Sequence, residues 1–483
     1  MNASMTTLAH IHDMLPGSNL LNISEEAAKS LQISSIGSDS RQVQAGELFV
    51  ALSGERFDAH QFLSGIVQAG ASSALISDSH QCPENLPAVC VGDTKKSLGQ
   101  LAQAWRKQFA IPVAVVTGSN GKTTVKEMIA SIFKAAVGEN ATLVTKGNLN
   151  NDIGLPLTLL RMRSSDRLAV IELGMNHPGE TAELATVVQA NIALINNAQR
   201  EHQEFMTSVE AVANEHAAVL SALPMNGVAV FPADSDFCHV WHAAADGRRI
   251  IDFVLASSGN QISAALTGQL LPNGKLHIKT EKGNIEVQLN TLGQHNLRNA
   301  LAASAVALAA GLELQNIQLG LESFMPVHGR MQAKMLTSNR TLIDDSYNAN
   351  PDSVRAAIDA LKQSGLEAWL VLGDMGEVGE QGPAFHQEVG AYAAQQGITK
   401  LFTLGEQCQF AVQGFNDALN TQAIAQSALH FKDIDQLLEN LNHALGSLDA
   451  DDSAYLNILV KGSRFMRMER VVQALLEEAK TCS

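Results

Sequence analysis

The chain lacks the features that mark several classes of protein. Its five cysteines are scattered over 483 residues, and no Cys-x-x-Cys pair occurs. The sequence therefore indicates neither a disulfide framework nor a zinc site of paired cysteines. It contains no apolar run of about eighteen residues and no opening signal peptide, so a transmembrane segment and secretion are not predicted. We expect a soluble protein of the cytoplasm.

A surplus of basic residues is also missing. The 33 lysines and arginines are outnumbered by 49 aspartates and glutamates, which gives a net charge of −16. A nucleic-acid partner is not expected, because binding one requires cations that neutralise many phosphates. A phosphorylated small molecule needs only local cations and is not excluded. The length is that of about three domains.

A glycine-rich turn is the most informative segment that is present. Residues 118–124 read Gly-Ser-Asn-Gly-Lys-Thr-Thr, between an apolar run at 113–117 and an amphipathic stretch that begins at Val125. In a strand, glycine turn and helix, backbone N–H groups and the positive helix end cradle phosphate oxygens. Lys122 is placed to reach a terminal phosphate, and Thr123 to ligate Mg²⁺. The segment predicts nucleoside triphosphate binding; a chance match in a loop is the alternative.

Short apolar runs alternate with helical stretches along the chain. They stand at 47–52, 73–76 and 88–91, at 168–171, 192–195 and 228–231, and at 341–343, 369–372, 400–404 and 457–460. This alternation is typical of parallel sheets covered on both faces. We predict an α/β protein with domains at 1–104, 105–325 and 326–483. An Asn-Gly turn at 273–274 predicts a small antiparallel insert in the second domain.

Polar side chains follow several predicted strands, where ligands bind in parallel sheets. Glu172 follows the run at 168–171, and a carboxylate beside a phosphate-binding strand suits Mg²⁺. His202 follows the run at 192–195, although a lone histidine is more often structural. For both residues a structural or merely exposed side chain remains the alternative.

Further candidates lie at a helix start and near the third domain. Asn296 and Asn299 open an alanine-rich helix, where they either cap the helix or contact an adenine edge. Arg330 stands at the second domain junction, from which an arginine reaches a γ-phosphate when domains close; a surface ion pair is the alternative. The polar run at 344–353 crowds a strand end. The Lys-Gly-Ser-Arg turn at 461–464 suits an anion or a carboxylate.

Taken together and in this order, the motifs resemble the Mur ligases, ATP-dependent amide-forming enzymes of peptidoglycan synthesis. The most specific pieces are Gly-Asn-Leu-Asn-Asn-Asp-Ile-Gly-Leu-Pro at 147–156, Glu-Leu-Gly-Met-Asn-His at 172–177, Asp-Asp-Ser-Tyr-Asn-Ala-Asn-Pro at 344–351 and Gly-Asp-Met-Gly-Glu at 373–377. The resemblance spans nearly the whole chain. It implies a small α/β domain that binds a UDP-sugar, a central P-loop ATPase domain with a parallel sheet, and a Rossmann-like C-terminal α/β domain.

The resemblance also implies roles in binding ATP and Mg²⁺. The phosphate-binding loop would consist of Gly118, Ser119, Asn120, Gly121, Lys122, Thr123 and Thr124. The rest of the ATP site would be formed by Asn296, Asn299, Arg330 and Asp345. Thr123 and Glu172 would hold one Mg²⁺, and His202 would bind a second metal. Lys122, Glu172, His202 and Arg330 would be the catalytic residues.

The substrates implied by the resemblance are UDP-N-acetylmuramoyl-tripeptide and D-alanyl-D-alanine. Candidate substrate-binding residues are Ser40, Arg41 and His60 in the first domain, Asn148, Asn150 and Asn151 in the second, and Asn348, Asn350, Lys461 and Ser463 in the third. The implied reaction forms ADP and an acyl phosphate, which the amine of the dipeptide then attacks. We expect a monomer.

One position departs from the family pattern. Members generally carry a CO₂-modified lysine a few helical turns after the metal histidine, and His216 stands at that place here. Histidine forms no stable carbamate. Either the neighbouring Glu215 supplies the negative charge, or the second metal is held differently.

Two other ligases and one protein of another class are alternatives. Many Mur ligases that add the third peptide residue carry Asp-Asn-Pro-Arg, whereas Asn-Pro-Asp-Ser stands here at 350–353. A folylpolyglutamate synthase does not account for the UDP-sugar-like first domain. A GTPase-type switch protein requires an Asn-Lys-x-Asp segment, which is absent from the sequence.

Overall fold

The computed structural model describes residues 4–54, 57–256, 262–363, 365–419, 427–448 and 455–481. Across these residues, helices alternate with strands that form three larger sheets and two short strand pairs. The predicted α/β class with three successive sheets is confirmed. Among the helices described, none is both long and apolar enough to cross a membrane.

The first larger sheet belongs to the N-terminal part. The strands there are β1 (Thr6–Thr7), β2 (Asn19–Leu21), β3 (Gln32–Ile33), β4 (Ser35–Gly37), β5 (Glu47–Val50), β6 (Ser53–Gly54), β7 (Phe57–Asp58), β8 (Ser73–Ile76) and β9 (Ala88–Cys90), and the helices are α1 (Leu8–Asp13), α2 (Glu25–Ser30), α3 (Leu63–Gln68) and α4 (Thr94–Arg106). The sheet order is β2-β9-β8-β5-β4, and its strands run parallel except β2.

The central sheet carries the glycine turn. Its strands are β10 (Val113–Thr117), β11 (Thr142–Val144), β12 (Leu168–Glu172), β13 (Ile192–Ile195), β14 (Val228–Pro232), β15 (Arg249–Leu255), β16 (Leu266–Leu270), β17 (Leu276–Thr280) and β18 (Gly283–Val287). The helices are α5 (Lys122–Val137), α6 (Gly154–Leu159), α7 (Glu180–Val188), α8 (Val209–Ser221), α9 (Cys238–Ala245), α10 (Gln294–Ala309) and α11 (Leu314–Ser323). The order is β11-β12-β10-β13-β14-β15-β16-β17-β18. The predicted hairpin insert is confirmed, since β17 pairs antiparallel with β16 and β18.

The third sheet belongs to the C-terminal part. Its strands are β19 (Gln332–Thr337), β20 (Arg340–Asp345), β21 (Glu367–Gly373), β22 (Lys400–Leu404), β23 (Ser427–Phe431) and β24 (Leu456–Lys461), and the helices are α12 (Pro351–Gln363), α13 (Gly382–Gln395), α14 (Cys408–Leu419), α15 (Ile434–Gly446) and α16 (Glu469–Thr481). The order is β19-β20-β24-β21-β22-β23, with only β19 antiparallel to its described neighbour.

Strand order places the candidate residues together. Strand β10 lies between β12 and β13, so Val116 pairs with Glu172 and Thr117 with Ile195. In the third sheet, β24 lies beside β20, and Lys461 pairs with Asp345. Because carboxyl ends of parallel strands share one sheet edge, the polar residues that follow them converge there.

Helix α4 connects the first two parts. It begins at Thr94 and ends at Arg106. Its apolar residues, among them Leu98 and Trp105, belong to one core with residues of β5 and of the central sheet. The Trp105 Nε1 donates a hydrogen bond to the Met162 carbonyl at 3.1 Å. Burial of each such large apolar side chain contributes about 1.5–3 kcal/mol, so the first sheet is anchored to the central one.

Candidate active site

The turn after β10 has the backbone of an anion nest. Gly118 and Gly121 have positive φ values of 133° and 80°, and α5 begins directly at Lys122. No described side chain caps the start of α5. Its first N–H groups therefore face the turn without intrahelical partners, and the helix dipole adds positive potential there. This arrangement suits the oxygens of a phosphate.

Three asparagines support the turn from behind. The Asn196 amide, after β13, donates to the Asn120 carbonyl at 2.8 Å and to Asn299 Oδ1 at 3.0 Å. Asn299 Nδ2 donates to Asn296 Oδ1 at 3.0 Å. A Cβ at Gly121 would lie 2.8 Å from both Asn196 Nδ2 and Asn299 Oδ1. The start of α10 and the end of β13 thus fix the loop conformation.

A buried carboxylate faces the loop lysine. Lys122 Nζ donates to the Gly118 carbonyl at 2.6 Å and to Glu201 Oε2 at 3.3 Å. The Glu201 side chain is only 6% exposed. Its other oxygen lies 2.8 Å from His216 Nε2, and His216 Nδ1 lies 3.0 Å from Thr117 Oγ1. A continuous polar chain therefore runs from the end of β10 to the loop lysine.

The charges around Glu201 decide its protonation state. Burial by itself raises the pKa of the Glu201 carboxyl. This effect of burial is outweighed by the Lys122 ammonium, the hydrogen bond with His216 and the nearby His202. Together they hold the pKa of Glu201 well below its usual range. Glu201 is therefore an anion at neutral pH.

Glu172 and Thr123 offer oxygen ligands beside the loop. Thr123 Oγ1 donates to Glu172 Oε1 at 3.2 Å, and Asn150 Nδ2 donates to the same oxygen at 2.8 Å. The Glu172 side chain is buried, and none of the described residues hydrogen-bonds its Oε2. A buried oxygen without a partner is costly, and hydroxyl and carboxylate oxygens are the ligands that Mg²⁺ takes. The two residues therefore fit a Mg²⁺ ion.

His202 lies between the central and C-terminal parts. It has a positive φ of 47°, which is uncommon for a residue with a side chain. Its Nε2 lies 4.0 Å from Glu201 Oε2, and its Nδ1 lies 2.9 Å from Glu377 Oε2. The contact with His202 lowers the pKa of the Glu377 carboxyl. The histidine is thus held between two anions of different domains.

Two cavities meet at the loop. One, of about 360 Å³, lies between α10 and α12 and is lined by Gly121, Asn196, Phe237, Phe253, His295, Asn296, Asn299, Arg330 and Asp345 among others. The other, of about 290 Å³, includes Lys122, Thr123, Asn148, Asn150, Asn151, Glu172, His202, Arg330, Asn348 and Asn350. The structure therefore brings the candidates of the second and third predicted domains together around the turn.

Arg330 belongs to both cavities. Its guanidinium lies 4.2 Å from the centroid of the Tyr347 ring, a cation–π contact. Burial lowers the pKa of the His295 imidazole in the larger cavity, so that ring is neutral at pH 7. Phe237 and Phe253 line the larger cavity together with the amides of Asn296 and Asn299, and this mixture of apolar and polar groups suits a nucleobase.

Lys461 and Ser463 hold the loop that follows β20. Lys461 Nζ donates to Asp345 Oδ2 at 2.5 Å and to the Asn348 carbonyl at 2.9 Å. Ser463 Oγ donates to the Ala349 carbonyl at 2.9 Å. Asp345 Oδ1 also accepts the Met331 N–H at 3.1 Å. These side chains shape the wall of the site through contacts within the protein.

Asn350 has two partners. Its Oδ1 accepts the Ser353 N–H at 2.8 Å at the start of α12, and its Nδ2 donates to Asn120 Oδ1 at 2.9 Å. The residue therefore links the C-terminal part to the phosphate-binding turn.

Asn151 has a local structural role, since its Oδ1 accepts the Gly154 N–H at 2.9 Å at the start of α6.

The candidates of the first domain lie outside these two cavities. Ser40 is partly buried and Arg41 is exposed, with its Nε donating to Asp39 Oδ1 at 2.8 Å. His60 is buried, and both ring nitrogens are engaged: Nδ1 lies 2.6 Å from Asp58 Oδ1, and Nε2 accepts the Ser77 N–H at 3.0 Å. His60 thus has no free nitrogen for a ligand in this conformation.

Of the two alternatives that the sequence left open at His216, the structure does not favour Glu215 as the source of the negative charge. Its carboxylate accepts the N–H groups of Gly179 and Thr181, both at 2.9 Å, at the start of α7. A carboxylate there satisfies free N–H groups and the helix dipole. The anion beside His216 is Glu201, whose signal in the sequence was only its position next to His202.

Sequence reasoning also missed Arg200, which joins two domains. Its Nη1 lies 2.7 Å from Glu388 Oε2, and its Nη2 lies 2.5 Å from Asp352 Oδ1. The hydrogen bond from Arg200 and a second one from Arg355 lower the pKa of the Glu388 carboxyl. No local pattern distinguished Arg200 from an exposed arginine.

Comparison with known proteins agrees with this architecture. Three family models match: "Mur ligase family, catalytic domain" over residues 32–130, "Mur ligase middle domain" over 116–307 and "Mur ligase, glutamate ligase domain" over 329–464. The UDP-N-acetylmuramoyl-tripeptide–D-alanyl-D-alanine ligase of Haemophilus influenzae is 38% identical over 94% of this chain and 95% of its own length. The Escherichia coli enzyme of the same name is 36% identical over 99% of both chains.

A solved structure agrees as well. The crystal structure of MurF from Acinetobacter baumannii is 31% identical, with a TM-score of 0.87 over 99% of this chain and 100% of that one. The similarities in sequence and in structure therefore both extend over nearly the whole chain. This chain belongs to the Mur ligase family.

Proposed function

We propose that this protein is an ATP-dependent, ADP-forming ligase that joins D-alanyl-D-alanine to UDP-N-acetylmuramoyl-tripeptide. The observation that carries the proposal is the anion nest after β10, with Lys122 in it and the free Glu172 Oε2 beside it. The similarity to enzymes of this name over 94–99% of the chain supports the choice of substrates. The product is a UDP-N-acetylmuramoyl-pentapeptide, a precursor of peptidoglycan.

The main barrier to the reaction is electrostatic. The carboxylate of the nucleotide peptide must approach the γ-phosphate of ATP, which is itself an anion. We infer that Lys122, the loop N–H groups and Arg330, which all adjoin the smaller cavity, offset that repulsion and neutralise the charge transferred to the leaving ADP. The acyl phosphate that forms is then attacked by the amine of D-alanyl-D-alanine, and phosphate leaves.

Mg²⁺ would be held by Thr123 and Glu172, and a second ion by His202. Bound there, Mg²⁺ would supply positive charge that offsets the repulsion between the anionic substrates. The chain's own residues orient these ligands, because Asn150 and Thr123 fix Glu172 Oε1 and leave Oε2 free. Closure of the cleft between the central and C-terminal parts excludes water, which protects the acyl phosphate from hydrolysis.

We further propose a division of labour among the predicted domains. Residues 1–104 bind the UDP-sugar with Ser40 and Arg41, residues 105–325 bind ATP, and residues 326–483 receive the dipeptide near Asn348 and Asn350. Asn348 is exposed in the smaller cavity, where an incoming amine meets the γ-phosphate side of the loop. The protein acts as a monomer in the cytoplasm.

Replacement of Lys122 tests the assignment. We expect Lys122→Ala to lower substrate-dependent ADP release by about a thousandfold, because it removes one charged donor from the transition state. The matched control is Lys134→Ala, on the same helix, where the lysine pairs with the exposed Glu139. The control should turn over like the wild type. Near-normal turnover of the Lys122 variant would refute the role of the nest.

Omission of substrates separates this function from its rivals. We expect ADP release only when ATP, UDP-N-acetylmuramoyl-tripeptide and D-alanyl-D-alanine are all present. A ligase that makes the tripeptide would instead require the dipeptide nucleotide and a free amino acid. A nucleotide-switched binding protein would release ADP at the same rate with or without the peptide substrates.

A further inference from the structure

We propose that Glu201 is the anionic partner of His202 in a divalent-cation site that forms when Lys122 turns to bound phosphates. The proposal rests on the proposed function, since it requires a triphosphate in the loop. It assigns to Glu201 the role that the sequence left open between Glu215 and another arrangement.

The negative charge of Glu201 needs a cation close to it. In this structure its buried carboxylate is balanced by the Lys122 ammonium at 3.3 Å. When Lys122 donates to a phosphate instead, the carboxylate retains only the hydrogen-bonding contact with His216. An unpaired buried charge is strongly unfavourable. A second cation must therefore replace the ammonium, or Lys122 is held back from the phosphates.

Glu201 and His202 lie close enough to share one ion. Glu201 Oε2 and His202 Nε2 are 4.0 Å apart. Two ligands of one Mg²⁺, each at about 2.1 Å, are separated by at most about 4.2 Å, so one ion can bridge these atoms. A cavity of about 70 Å³ opens beside them and includes Ser119, Asn348 and Glu377 in its lining. It has room for water ligands of a small hydrated ion.

His216 holds the Glu201 carboxylate in a defined orientation. His216 is fully buried. Its Nε2 lies 2.8 Å from Glu201 Oε1, and its Nδ1 lies 3.0 Å from Thr117 Oγ1, both at hydrogen-bonding distance. Only Oε2 of Glu201 is thus directed at Lys122 and His202. Partners that orient a ligand in this way commonly affect metal affinity about 10–100-fold. His216 is therefore a positioning residue for Glu201.

A second cluster of potential metal ligands has no carboxylate oxygen directed at a metal site in this way. The ligating atoms of Asp374, His386 and Cys408 lie within 4.8 Å of one another. The Asp374 carboxylate, however, accepts the N–H groups of residues 406–408, and His386 Nε2 accepts the Met375 N–H. His386 Nδ1 lies 2.7 Å from the Gly382 carbonyl. These groups are engaged within the protein and serve its structure.

Manganese binding tests the proposal without relying on activity. Free Mn²⁺ is measured by electron paramagnetic resonance while the full chain is titrated in the presence of a non-hydrolysable ATP analogue below the protein concentration. We expect two Mn²⁺ per bound nucleotide for the wild type. Glu201→Gln should lose the second ion, with affinity at least about 100-fold lower, and should bind the nucleotide within a few-fold of the wild type.

Three further variants complete the experiment. His216→Gln should weaken the second ion by about 10–100-fold and spare the first. Glu204→Gln makes the same chemical change on an exposed neighbour and should keep both ions. If Glu201→Gln does not fold, Glu201→Asp, which keeps the charge but shortens its reach, should still weaken the second ion.

The outcomes separate the two proposals. Two Mn²⁺ ions on Glu201→Gln, or a single ion on the nucleotide-bound wild type, would overturn the role of Glu201 and leave the ligase assignment standing. A wild type that binds no nucleotide would remove the proposed function and this inference together.

Discussion

At the scale of single residues, the site depends on backbone conformation as much as on side-chain chemistry. Gly121 has a φ of 80° at the residue that precedes α5. Two amides from other elements approach it so closely that no side chain fits. The sequence therefore needs glycine here for two independent reasons: the left-handed backbone and the support by Asn196 and Asn299.

Alanine at this position should damage both stability and nucleotide binding. We expect Gly121→Ala to lower the free energy of unfolding by about 1–3 kcal/mol, because a left-handed alanine is strained and its Cβ overpacks the amides. The affinity for ATP should also fall, because the clash with the amides of Asn196 and Asn299 would change the conformation of the loop. Urea unfolding and calorimetry with ATP check the two effects.

The control for Gly121→Ala is a glycine where an added Cβ has no close neighbour. Gly65 lies within α3, and a Cβ there meets nothing within 4 Å. We expect Gly65→Ala to leave ATP binding unchanged and to gain up to about 1 kcal/mol from helix propensity. Equal stability of the Gly121 variant and the wild type would contradict the account of the loop.

At the scale of elements, α13 packs closely on α14 in the C-terminal part. A Cβ at Gly414 would lie 2.1 Å from the Gln387 carbonyl oxygen, and one at Gly390 would lie 1.8 Å from the Ala411 carbonyl oxygen. The two helices thus approach each other backbone to backbone through a glycine on each. Helix α13 also carries Glu388, so this contact fixes one partner of Arg200.

Alanine at the helix contact should separate the two helices. We expect Gly414→Ala to destabilise the protein by about 1–3 kcal/mol or more, since a carbonyl oxygen of the backbone cannot move aside as a side chain can. Thermal unfolding followed by circular dichroism measures the loss. Gly446→Ala, where a Cβ meets nothing within 4 Å at the end of α15, should keep the melting temperature of the wild type.

At the scale of the whole molecule, three groups of contacts between described residues join the central and C-terminal parts around the loop. They are the pairs of Arg200 with Asp352 and Glu388, the bond of Asn350 to Asn120 and the contact of His202 with Glu377. All three surround the phosphate-binding turn. The contacts that join the two parts therefore also form one side of the site.

The Arg200 contact gives stability a dependence on pH. Because Arg200 lowers the pKa of Glu388 in the folded protein, the pair stabilises the fold above the unfolded pKa near 4.5. This stabilisation is lost as the pH falls through the folded value. We expect Glu388→Gln to cost about 1 kcal/mol or less at pH 7, since the pair is partly exposed and screened.

Melting temperatures from pH 7 down to pH 3.5 test this dependence. The difference between Glu388→Gln and the wild type should shrink as the pH falls, because the wild-type carboxyl takes up a proton as the pH passes through its lowered folded pKa. Glu477→Gln, an exposed position on α16, should show no difference at any pH. A deficit of the Glu388 variant that persists unchanged at pH 3.5 would show that the pair acts by packing and not by charge.

Most of the secondary structure was predictable because its causes are local. The runs at 113–117, 192–195 and 400–404 are strands with those bounds, and the hairpin lies around the Asn-Gly turn. The run at 168–171 gains only Glu172. The two faces of these strands are buried, so their apolar character is continuous and visible in one sequence.

The assembly of the site was only partly predictable. Lys122, Thr123 and Glu172 follow from one turn and one strand end, and the structure brings them together. Glu201 and Arg200 lie next to His202 in the sequence. The partner of Glu201, Lys122, is 79 positions away, and the partners of Arg200 are 152 and 188 positions away. Such pairings depend on strand order, which a local pattern does not contain.

By itself the sequence determined the α/β class and the strand, glycine turn and helix around residue 118. It also determined that the Glu172 carboxylate and the Thr123 hydroxyl are close to this turn. These features were visible because apolar periodicity and the conformational freedom of glycine act over a few neighbouring residues. Only the tertiary structure decided that Glu201 faces Lys122 while Glu215 faces α7. It also decided that Arg200 joins two domains. The physical reason is that the burial and pairing of a charge are set by residues distant in the chain, which meet only when β10 lies between β12 and β13.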